Sequence, residues 1–507
     1  MTPIKLSKVE KIVLFISLSL ATFMMVLDYS IANVSIPYIA GDLSVSVDEG
    51  TYVITSFAVG NAIGLAMTGW LTKRIGLVRL LTVSLALFTL FSWICGASVS
   101  LQMLVISRFI QGFVSGPMIP LSQSMILNTG TPESRSRDLS IWSTIIITAP
   151  VLGPILGGYI SEWHTWSGIF YINIPVGIFC TMAIWMIMHN NESVREKAPA
   201  DIPGFVLLTI GVSALQILLD KGEQWDWLNS NTIRILMITT VISFTLLVIR
   251  ELFHNKPFLE LRLFSIPLFS LSIVCLSISY AIYFGSIVLV PLWLQEYMNY
   301  DAVWAGLSVS TIGIAPFLLS MITPRIVKTI GNLSTLMVSF MIFTGACFYN
   351  AYFTSQVDVS HIAFARFLFG FGMIIYINPL ISMSVEKIPA EKLPSATGIF
   401  HFFRAMVGGV GTSVFTTLWE RRTIFHHERL GETLTPFNPL VPPPLDEQGL
   451  ALLNTALDQQ ASLLALNDAF FLMAWLFIGL VLLLAFWRFR EKKPTSTNIH
   501  DLPIAAE

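Results

Sequence analysis

Long apolar runs separated by short polar segments dominate the chain. A helix of roughly 20 apolar residues crosses the ~30 Å hydrocarbon core of a bilayer. Fourteen runs meet this length, at about 12–36, 51–72, 78–97, 101–127, 138–160, 168–188, 202–220, 232–251, 266–294, 302–323, 334–353, 361–386, 395–419 and 467–487. The pattern predicts an all-α integral membrane protein with fourteen transmembrane helices. Two other counts stay open: thirteen, if 202–251 is a re-entrant pair, and twelve with two interfacial helices.

The basic residues predict the orientation of these helices. With the N-terminus inside, 21 of the 29 Lys and Arg residues fall in inner segments and five fall in outer segments. The remaining three, Arg108, Arg366 and Arg404, lie within spans. Because cytoplasmic loops carry the excess of Lys and Arg, both termini are expected in the cytoplasm.

Composition excludes several classes of protein. The chain is 54% apolar and only 12% charged, whereas soluble domains carry about 25% charged residues. A net charge of −2 leaves no basic excess for binding nucleic acid. The four cysteines form no C-x-x-C pair, and neither a P-loop nor a G-x-S-x-G element occurs. We therefore expect no metal and no nucleotide motor, so an ion gradient or the substrate's own gradient must supply the energy.

An internal repeat divides the chain. The segment Arg108–Phe113 matches Arg366–Phe371 at an offset of 258, and Gly153 matches Gly411 at the same offset. Two copies with the same topology are parallel repeats, which place a substrate site between the halves near the midplane. The predicted units are a six-helix bundle at 1–190, two inserted helices with flanking loops at 191–262, a second six-helix bundle at 263–490, and a tail at 491–507.

The one long connection, residues 421–466, is expected on the outer side. It begins with charged residues and continues through a Pro-rich stretch, Pro436 to Pro444, that is expected to be extended. Apolar residues then recur at helical spacing and predict an amphipathic helix: Leu450, Leu453, Leu457, Ala461 and Leu464. Two interpretations remain, a lid packed on the bundle and a docking surface for a partner.

Ionisable residues inside spans are expensive and usually mark function. Asp28 lies 16 residues from the inner end of span 1, or about 24 Å at 1.5 Å per residue. Arg108 lies about 10 Å from the outer end of span 4 by the same rise. Both residues are therefore expected in the outer half, at similar depth. We interpret Asp28 as a proton carrier tuned by Arg108; the alternative is an ion pair that only locks helices together.

Polar and aromatic residues predict a substrate cavity. Span 4 carries a polar stripe of Arg108, Gln111, Ser115 and Ser122, which could also serve interhelical hydrogen bonds. The candidate cavity residues are Gln111, Ser115, Met25, Phe57, Tyr283, Tyr376, His401 and Arg404. His401 is favoured as a hydrogen-bonding core residue over a titrating relay. The partner of Arg404 stays open between an anionic substrate group, Glu296 and Asp28.

Two further segments indicate conformational change. Span 5 concentrates proline and glycine, which makes a helix easy to kink, and the predicted hinge comprises Gly153, Pro154, Gly157 and Gly158. The inner turn after span 2 is short and basic. It is interpreted as a latch between the halves, with plain positive-inside charge as the alternative: Gly69, Lys73, Arg74, Gly76 and Arg79.

These motifs together resemble the major facilitator superfamily. The loop Gly69–Arg79, Arg108-x-x-Gln-Gly and Gly153-Pro154-x-x-Gly-Gly are similar to its inner-loop, span-4 and exporter span-5 signatures. The segment Leu27–Val34 is typical of its fourteen-span drug:H+ antiporter branch. Lys73 stands where the superfamily usually has an acidic residue. The resemblance therefore does not imply a latch in which an acid at this position makes the contact.

The resemblance implies a secondary transporter, not an enzyme. It implies proton-driven export of small hydrophobic or amphipathic toxic compounds across the bacterial inner membrane, with H+ as coupling ion and no other cofactor. It also implies a tripartite pump with a periplasmic adaptor of the EmrA type and an outer-membrane channel of the TolC type. An exporter dedicated to one metabolite, such as a siderophore, is the alternative. A sensor or intramembrane enzyme is disfavoured by the two-copy architecture.

Overall fold

The computed structural model describes residues 6–130, 132–195, 201–222, 224–254, 257, 259–300, 302–319, 322–434 and 447–491. Within these residues the regular secondary structure is helical and no strand occurs, which confirms the all-α prediction. We call the side at which the first helix begins the inner side, and the opposite side the outer side.

The first part of the chain forms nine helices. They are α1 (Lys8–Asp42), α2 (Val47–Gly50), α3 (Tyr52–Ile75), α4 (Leu77–Gly96), α5 (Leu101–Ser115), α6 (Met118–Thr129), α7 (Pro132–Trp163), α8 (Gly168–Tyr171) and α9 (Asn173–Met188). A reciprocal capping box starts α1, because Ser7 Oγ accepts from the Glu10 N–H and the Glu10 carboxylate accepts from the Ser7 N–H. Pro117 has no N–H to donate, and the predicted fourth span is divided into α5 and α6 at this point.

The rest of the chain continues with the inserted pair and the second half. The helices are α10 (Ile202–Lys221), α11 (Asn231–Phe253), α12 (Pro267–Glu296), α13 (Ala302–Ser310), α14 (Ile314–Leu319), α15 (Thr323–Ile330), α16 (Asn332–Ala351), α17 (Val359–Val385), α18 (Leu393–Gly431) and α19 (Glu447–Glu491). Short 3₁₀ turns occur at Trp227–Asn229, Leu261–Ser265, Thr311–Gly313 and Ala390–Lys392.

Eleven helical stretches of the described chain are long and apolar enough to cross a membrane. They match eleven of the fourteen predicted runs. The run 138–160 lies within α7 and the run 395–419 lies within α18. The run 302–323 differs from the prediction of one continuous helix, because the turn Thr311–Gly313 separates α13 from α14. The structure therefore confirms the helical, multi-span character of the chain and leaves the full count of fourteen to be argued below.

Three apolar clusters of the described residues hold the helices together, and the smallest, which includes Val53 and Phe170, lies at the outer ends of the first-half helices. One buried cluster joins α1, α4, α6, α7 and α9 and includes Leu81 and Phe88. A larger one joins α12, α16, α17 and α19 and reaches α3 and α10. In the larger core Phe343 stacks on Phe477 with ring centroids 5.0 Å apart. Since lipid tails are as apolar as these side chains, close packing rather than water exclusion stabilises such contacts.

The outer segment differs from the prediction of a loop with a separate amphipathic helix. Helix α18 continues to Gly431, and the apolar residues from Leu450 to Leu464 belong to α19, which runs on into the last apolar run. Both helices therefore extend past the predicted spans as long arms. The predicted extended stretch, Pro436 to Pro444, lies outside the described residues.

The two arms are joined by ion pairs. Asp468 of α19 accepts from Arg422 at 2.5 Å and faces His426 Nε2 at 2.8 Å, both on α18. His427 Nδ1 lies 2.7 Å from an oxygen of Asp458. These contacts give the outer arms a defined pairing along α18 and α19.

Candidate functional site

A fully buried ion pair connects α1 and α5 in the first half. Arg108 Nη1 lies 2.5 Å from Asp28 Oδ2, and both side chains are 0% exposed. The two residues were predicted to lie at similar depth, and the structure places them in direct contact. Desolvating an ion costs several kcal/mol even after relaxation. Such a pair persists only where neighbouring groups satisfy most of its remaining donors and acceptors.

Three further polar side chains surround this pair, while Arg108 Nη2 is left without a hydrogen-bond partner among the described groups. Asn173 Nδ2 donates to Asp28 Oδ1 at 2.7 Å, and Gln111 Nε2 lies 3.3 Å from the same oxygen. Gln111 Oε1 accepts from Arg108 Nη1 at 2.8 Å, and Ser92 Oγ accepts from Gln111 Nε2 at 2.7 Å. The carboxylate of Asp28 therefore lies in a network built from α1, α4, α5 and α9.

Aromatic rings cover the guanidinium of Arg108. The Phe57 ring lies 4.2 Å from its Cζ and the Phe170 ring lies 5.4 Å away, which is cation–π distance. Arg108 Nε also donates to the backbone oxygen of Val53 at 3.3 Å. The ring of Tyr29, whose side chain is partly exposed, lies 5.8 Å from the Phe57 ring. Phe57, predicted to line a cavity, thus shields the ion pair.

The rest of the predicted polar stripe is buried. Ser115 Oγ accepts from Asn61 Nδ2 at 2.8 Å and donates to a main-chain oxygen on its own helix. Ser122 is fully buried, and its hydroxyl has no hydrogen-bond partner among the described groups. Met25 lies in the apolar core of the first half. These three residues line no open cavity in this arrangement.

The repeat places a second buried arginine in the other half. Arg366 is 0% exposed and donates from Nη1 to the main-chain oxygen of Ser286 and from Nη2 to Asn350 Oδ1, both at 3.1 Å. At the offset of 258, Ser286 corresponds to Asp28 and Asn350 to Ser92. The Phe369 ring lies 5.1 Å from its guanidinium. Among the described residues no carboxylate forms an ion pair with Arg366.

A polar seam joins the two halves toward the inner side. His401 Nε2 bonds Gln123 Oε1 at 2.7 Å, linking α18 to α6. Asn378 of α17 bonds two serines of α7, accepting from Ser143 Oγ at 3.1 Å and donating to Ser140 Oγ at 2.9 Å. His401 is therefore placed as a buried hydrogen-bonding residue at the seam.

Aromatic residues gather around Arg404 in the second half. Arg404 Nη1 lies 3.4 Å from the Tyr280 hydroxyl, and its Cζ lies 5.6 Å from the Tyr280 ring. Tyr283 packs beside Tyr280 with ring centroids 5.8 Å apart. Tyr376 is fully buried, and its hydroxyl shares a 2.6 Å hydrogen bond with Ser279 Oγ.

Neither protein carboxylate considered for Arg404 pairs with it. Asp28 is bound by Arg108, and Glu296 makes no ion pair with Arg404 in the described part of the chain. Half-buried Arg404 thus has a phenol and an aromatic face as neighbours instead of an acid.

The predicted hinge lies within the continuous helix α7. Pro154 has no N–H, so the carbonyl of Pro150 one turn earlier receives no intrahelical hydrogen bond from it. Ser30 Oγ of α1 donates to this carbonyl at 3.2 Å. The defect in α7 is therefore satisfied by a neighbouring helix, which keeps α7 helical through the proline.

The hinge glycines permit this close approach of α1. A Cβ on Gly153 would lie 2.5 Å from Ser30 Oγ, and one on Gly157 would lie 2.7 Å from the Ile31 oxygen. Any side chain at either position would push α1 away. Gly158 follows in the same helix and is half-buried.

The predicted latch forms an ionic cluster on the inner side. The Lys73 ammonium pairs with the carboxylate of Glu260, which lies in the turn before α12. Glu260 also faces Lys392 Nζ at 3.5 Å and accepts from Ser395 Oγ at 3.3 Å. A Cβ on Gly69 would lie 2.8 Å from Ser395 Cα, so α3 and α18 are in close contact here. An acid from another loop thus faces Lys73 at the latch.

The rest of the latch shapes the turn between α3 and α4. Gly76 has a φ of 98°, which favours glycine. The Glu192 carboxylate accepts from the Arg79 N–H at 2.9 Å and so caps the start of α4. The Arg74 guanidinium lies 5.3 Å from the Trp70 ring.

Several contacting residues were missed by sequence reasoning. Each is a single polar or acidic residue beside or within an apolar run, a signal that could have been used. They are Ser92, Gln123, Asn173, Glu260 and Asn378.

Known proteins resemble the chain over nearly its whole length. The sequence profile of the Major Facilitator Superfamily matches residues 18–412. The Multidrug export protein EmrB of Haemophilus influenzae is 42% identical over 485 residues, covering 94% of this chain and 95% of that protein. EmrB of Escherichia coli K12 is 40% identical, covering 93% and 94%.

A further relative and a solved structure agree. The Fatty acid resistance protein FarB of Neisseria gonorrhoeae is 37% identical and covers 92% of this chain and 94% of its own. The crystal structure of the human organic anion transporter MFSD10 (TETRAN) superposes with a TM-score of 0.61 at 12% identity, covering 94% and 100%, which supports the fold alone. The superfamily expected from the motifs is confirmed, and the relatives place the chain with EmrB-type multidrug export proteins. The chain is a multi-pass membrane protein that belongs to the major facilitator superfamily of transporters.

Proposed function

We propose that the chain exports small hydrophobic or amphipathic toxic compounds in exchange for protons. The observation that carries the proposal is the fully buried ion pair of Asp28 and Arg108. A carboxylate inside a membrane span is energetically costly, and such residues usually have a function. Proton binding is such a function, since it changes the charge of the pair from neutral to +1.

The network around Asp28 supports a role in coupling. Asn173 and Gln111 donate to Asp28 Oδ1 while Arg108 binds Oδ2. Protonation removes the charge that holds Arg108, and leaving one partner of a buried pair alone costs about 3–5 kcal/mol. A free energy of that size is sufficient to drive a rearrangement of α1, α4, α5 and α9.

The inner-side contacts support assignment of this structure to an inner-closed state. The seam at His401 and Asn378 and the cluster at Glu260 all join the halves on the inner side. Lys73 lies at the end of α3 in the first half and Lys392 lies just before α18 in the second half. The ion pairs of Glu260 with both lysines therefore connect the two halves. In this assignment the latch opens when the inner side opens, and the glycine-rich part of α7 flexes as the hinge.

The Arg404 site supports a cavity wall in the second half. A half-buried guanidinium beside the Tyr280 hydroxyl offers an unpaired positive charge next to aromatic faces. Tyr283 and Tyr376 lie nearby and give the same region an apolar, polarisable surface. Such a wall suits flat or amphipathic compounds.

Fourteen spans with cytoplasmic termini remain the topology we propose. The long helices α7 and α18 supply spans 5 and 13, and α13–α15 together supply span 10, beside the eleven apolar spans. The units are two six-helix bundles at 1–190 and 263–490, an inserted pair at 191–262 and a tail at 491–507. The membrane is the bacterial inner membrane, as expected for relatives of this kind.

The outer arms of α18 and α19 are the proposed contact with an EmrA-type adaptor, which would join a TolC-type channel. The arms are paired by Arg422–Asp468 and extend past the predicted spans. Whole-length similarity to the EmrB proteins, arms included, supports this partnership.

The test uses inverted membrane vesicles that hold an acid interior, followed by a quenched dye. We expect an amphipathic antibiotic that does not itself carry protons across the bilayer to dissipate the pH gradient in wild type. Asp28→Asn vesicles with equal protein content should show no drug-dependent loss. An equal response in both would refute Asp28 as the carrier. A response to a single metabolite and to no drug of a broad panel would favour the dedicated exporter.

A further inference from the structure

The inserted helix α10 contacts both halves of the protein. Besides its partner α11, it packs against α3 of the first half and α18 of the second. On the inner side α3 and α18 touch directly, at Gly69 and Ser395. Near the outer end, side chains of both helices instead reach the last turn of α10. The inserted pair therefore lies along the seam where the two halves must move relative to each other.

Two hydrogen bonds, one to each half, connect this last turn to the rest of the protein, and a third lies within α10. Asp220 accepts from Thr55 Oγ1 of α3, and its other oxygen accepts from Gln216 Nε2 at 3.0 Å. One residue earlier, the main-chain oxygen of Leu219 accepts from Ser413 Oγ of α18 at 3.3 Å. A hydroxyl or an amide could have made the same link to Thr55. A carboxylate adds a charge that depends on pH, at a cost within a span.

Asp220 lies near the residues that cover the ion pair. It is an electrostatic neighbour of Tyr29, whose ring packs on Phe57, and Phe57 in turn covers Arg108. Asp220 is exposed in the structure, whereas Asp28 is fully buried. Of the two carboxylates, Asp220 is thus the one that protons from the outer side reach first.

In the described part of the chain, few charged or titratable groups face Asp220. Lys221 is the next residue and its ammonium lies 4.9 Å from the Tyr52 ring of α3. Tyr29 is the titratable neighbour on α1. Helix α18 faces the same turn with Ser413 and Gly409, which do not titrate.

We propose that Asp220 is a positioning residue of the transport cycle, through which the inserted helix pair makes the movement of α3 depend on pH at the outer side. When ionised, the carboxylate holds Thr55 and with it the outer end of α3. When it binds an outer proton, this charge-assisted bond weakens to an ordinary hydrogen bond of about half the strength, and α3 is released. The proposal rests on the proposed function for its link to transport, but not for the Thr55 contact.

The first test measures drug export in proteoliposomes while the pH at the outer face is varied and the inner pH is held constant. We expect wild type and Asp220→Glu to change rate with outer pH. Asp220→Asn should retain export and show a weaker dependence on outer pH, because the proton gradient itself still acts through Asp28. Loss of export at every pH without rescue by glutamate would overturn the proposal, because it indicates a purely structural role. An unchanged pH profile in Asp220→Asn would overturn it as well.

The second test needs no transport. A cysteine in place of Tyr52, which lies one turn before Thr55, is labelled from the outer side with an impermeant maleimide. Because maleimide reacts with the thiolate, labelling is expressed relative to the rate for free cysteine at the same pH. We expect this relative labelling rate to change about fivefold between low and high outer pH, since weakening one charge-assisted hydrogen bond shifts an equilibrium by that order. The unsubstituted chain gives the background, because all four native cysteines are buried.

Variants of the tether complete the second test. Adding Asp220→Asn or Thr55→Val should remove the pH dependence of labelling, whereas Ser413→Ala, which leaves the carboxylate bond intact, should keep it. A dependence that survives Asp220→Asn refutes the proposal. If labelling depends on pH through Asp220 but no proton-linked export is found, the proposed function fails and the tether stands.

Discussion

Two buried arginines occupy equivalent places in the two halves, yet among the described residues only Arg108 has a carboxylate partner. Arg108 binds Asp28, whereas Arg366 binds the main-chain oxygen of Ser286, which stands at the repeat position of Asp28. Both guanidinium groups are fully buried and lie against phenylalanine rings. Both repeats therefore contain a buried arginine that donates hydrogen bonds, and in the first half its partner is a titratable carboxylate. Only the first-half site can exchange its charge with a proton.

The largest difference is expected from removing the acid position itself. Asp28→Asn leaves Arg108 buried without a counter-charge, a loss of about 3–5 kcal/mol, and should abolish proton-linked export. Ser286→Ala keeps the main-chain oxygen that Arg366 uses and removes the bond from its buried hydroxyl to the Tyr283 oxygen, so it should cost only about 1 kcal/mol. Thermal unfolding in detergent and vesicle transport measure both. Equal losses in the two variants would contradict the comparison.

Removing each arginine gives the next largest difference. Arg108→Met leaves the Asp28 carboxylate unpaired, whereas Arg366→Met deletes a buried cation that has no acid among the described residues. We expect the first variant to be less stable than the second by at least about 2 kcal/mol, because an uncompensated buried charge is the costly outcome. Unfolding midpoints of the two proteins in one detergent decide this. If Arg366→Met were the less stable variant, the neutral partners of Arg366 would contribute more to stability than the ion pair of Arg108 does.

Neutral partners give a smaller difference. Asn173→Ala removes a hydrogen bond to a charged acceptor, worth about 1.5–3 kcal/mol. Asn350→Ala removes a hydrogen bond from a charged donor, and that bond is longer, at 3.1 Å against 2.7 Å. We expect the first variant to lower both stability and export, and the second to lower stability alone. Transport assays at matched protein levels separate the two effects. A loss of export in Asn350→Ala would mean that the second arginine also takes part in coupling.

The aromatic covers give the smallest difference. Phe57 lies 4.2 Å from the Arg108 guanidinium and Phe369 lies 5.1 Å from that of Arg366. Replacing either by leucine removes a cation–π contact of about 0.5–2 kcal/mol. We expect Phe57→Leu to cost more and to admit solvent to the ion pair, seen as faster hydrogen exchange in α1. Similar exchange in both variants would remove Phe57 as a shield.

Depth along single helices was predictable from the sequence, whereas partners across helices were only partly so. Counting residues from span ends placed Asp28 and Arg108 at one level, and the structure joins them. Counting could not show that Asn173 reaches the same carboxylate from α9, since no local pattern relates residues 145 positions apart. Lys73 was recognised as a departure from the superfamily motif, but its partner Glu260 lies 187 residues away.

The outer segment shows a different limit. The helical spacing of Leu450 to Leu464 was recognised correctly, but its continuity with the last span was not. Charged and polar residues interrupt the apolar run there, and hydropathy alone ends a span at such residues. Contacts with α18, including Arg422–Asp468 and His427–Asp458, accompany the continuous helix. Tertiary pairing therefore decides where these two helices end.

The sequence by itself determined the helical class, most of the apolar spans, the repeat with its offset of 258 and the superfamily. These features are local or periodic, because a bilayer requires each span to satisfy its own backbone and to be apolar along its length. Only the tertiary structure decided that Asp28 is bonded from both α5 and α9, that Glu260 contacts two lysines, and that α10 bonds both halves. Burial makes polar groups seek partners wherever packing brings them, and packing brings together residues far apart in the chain.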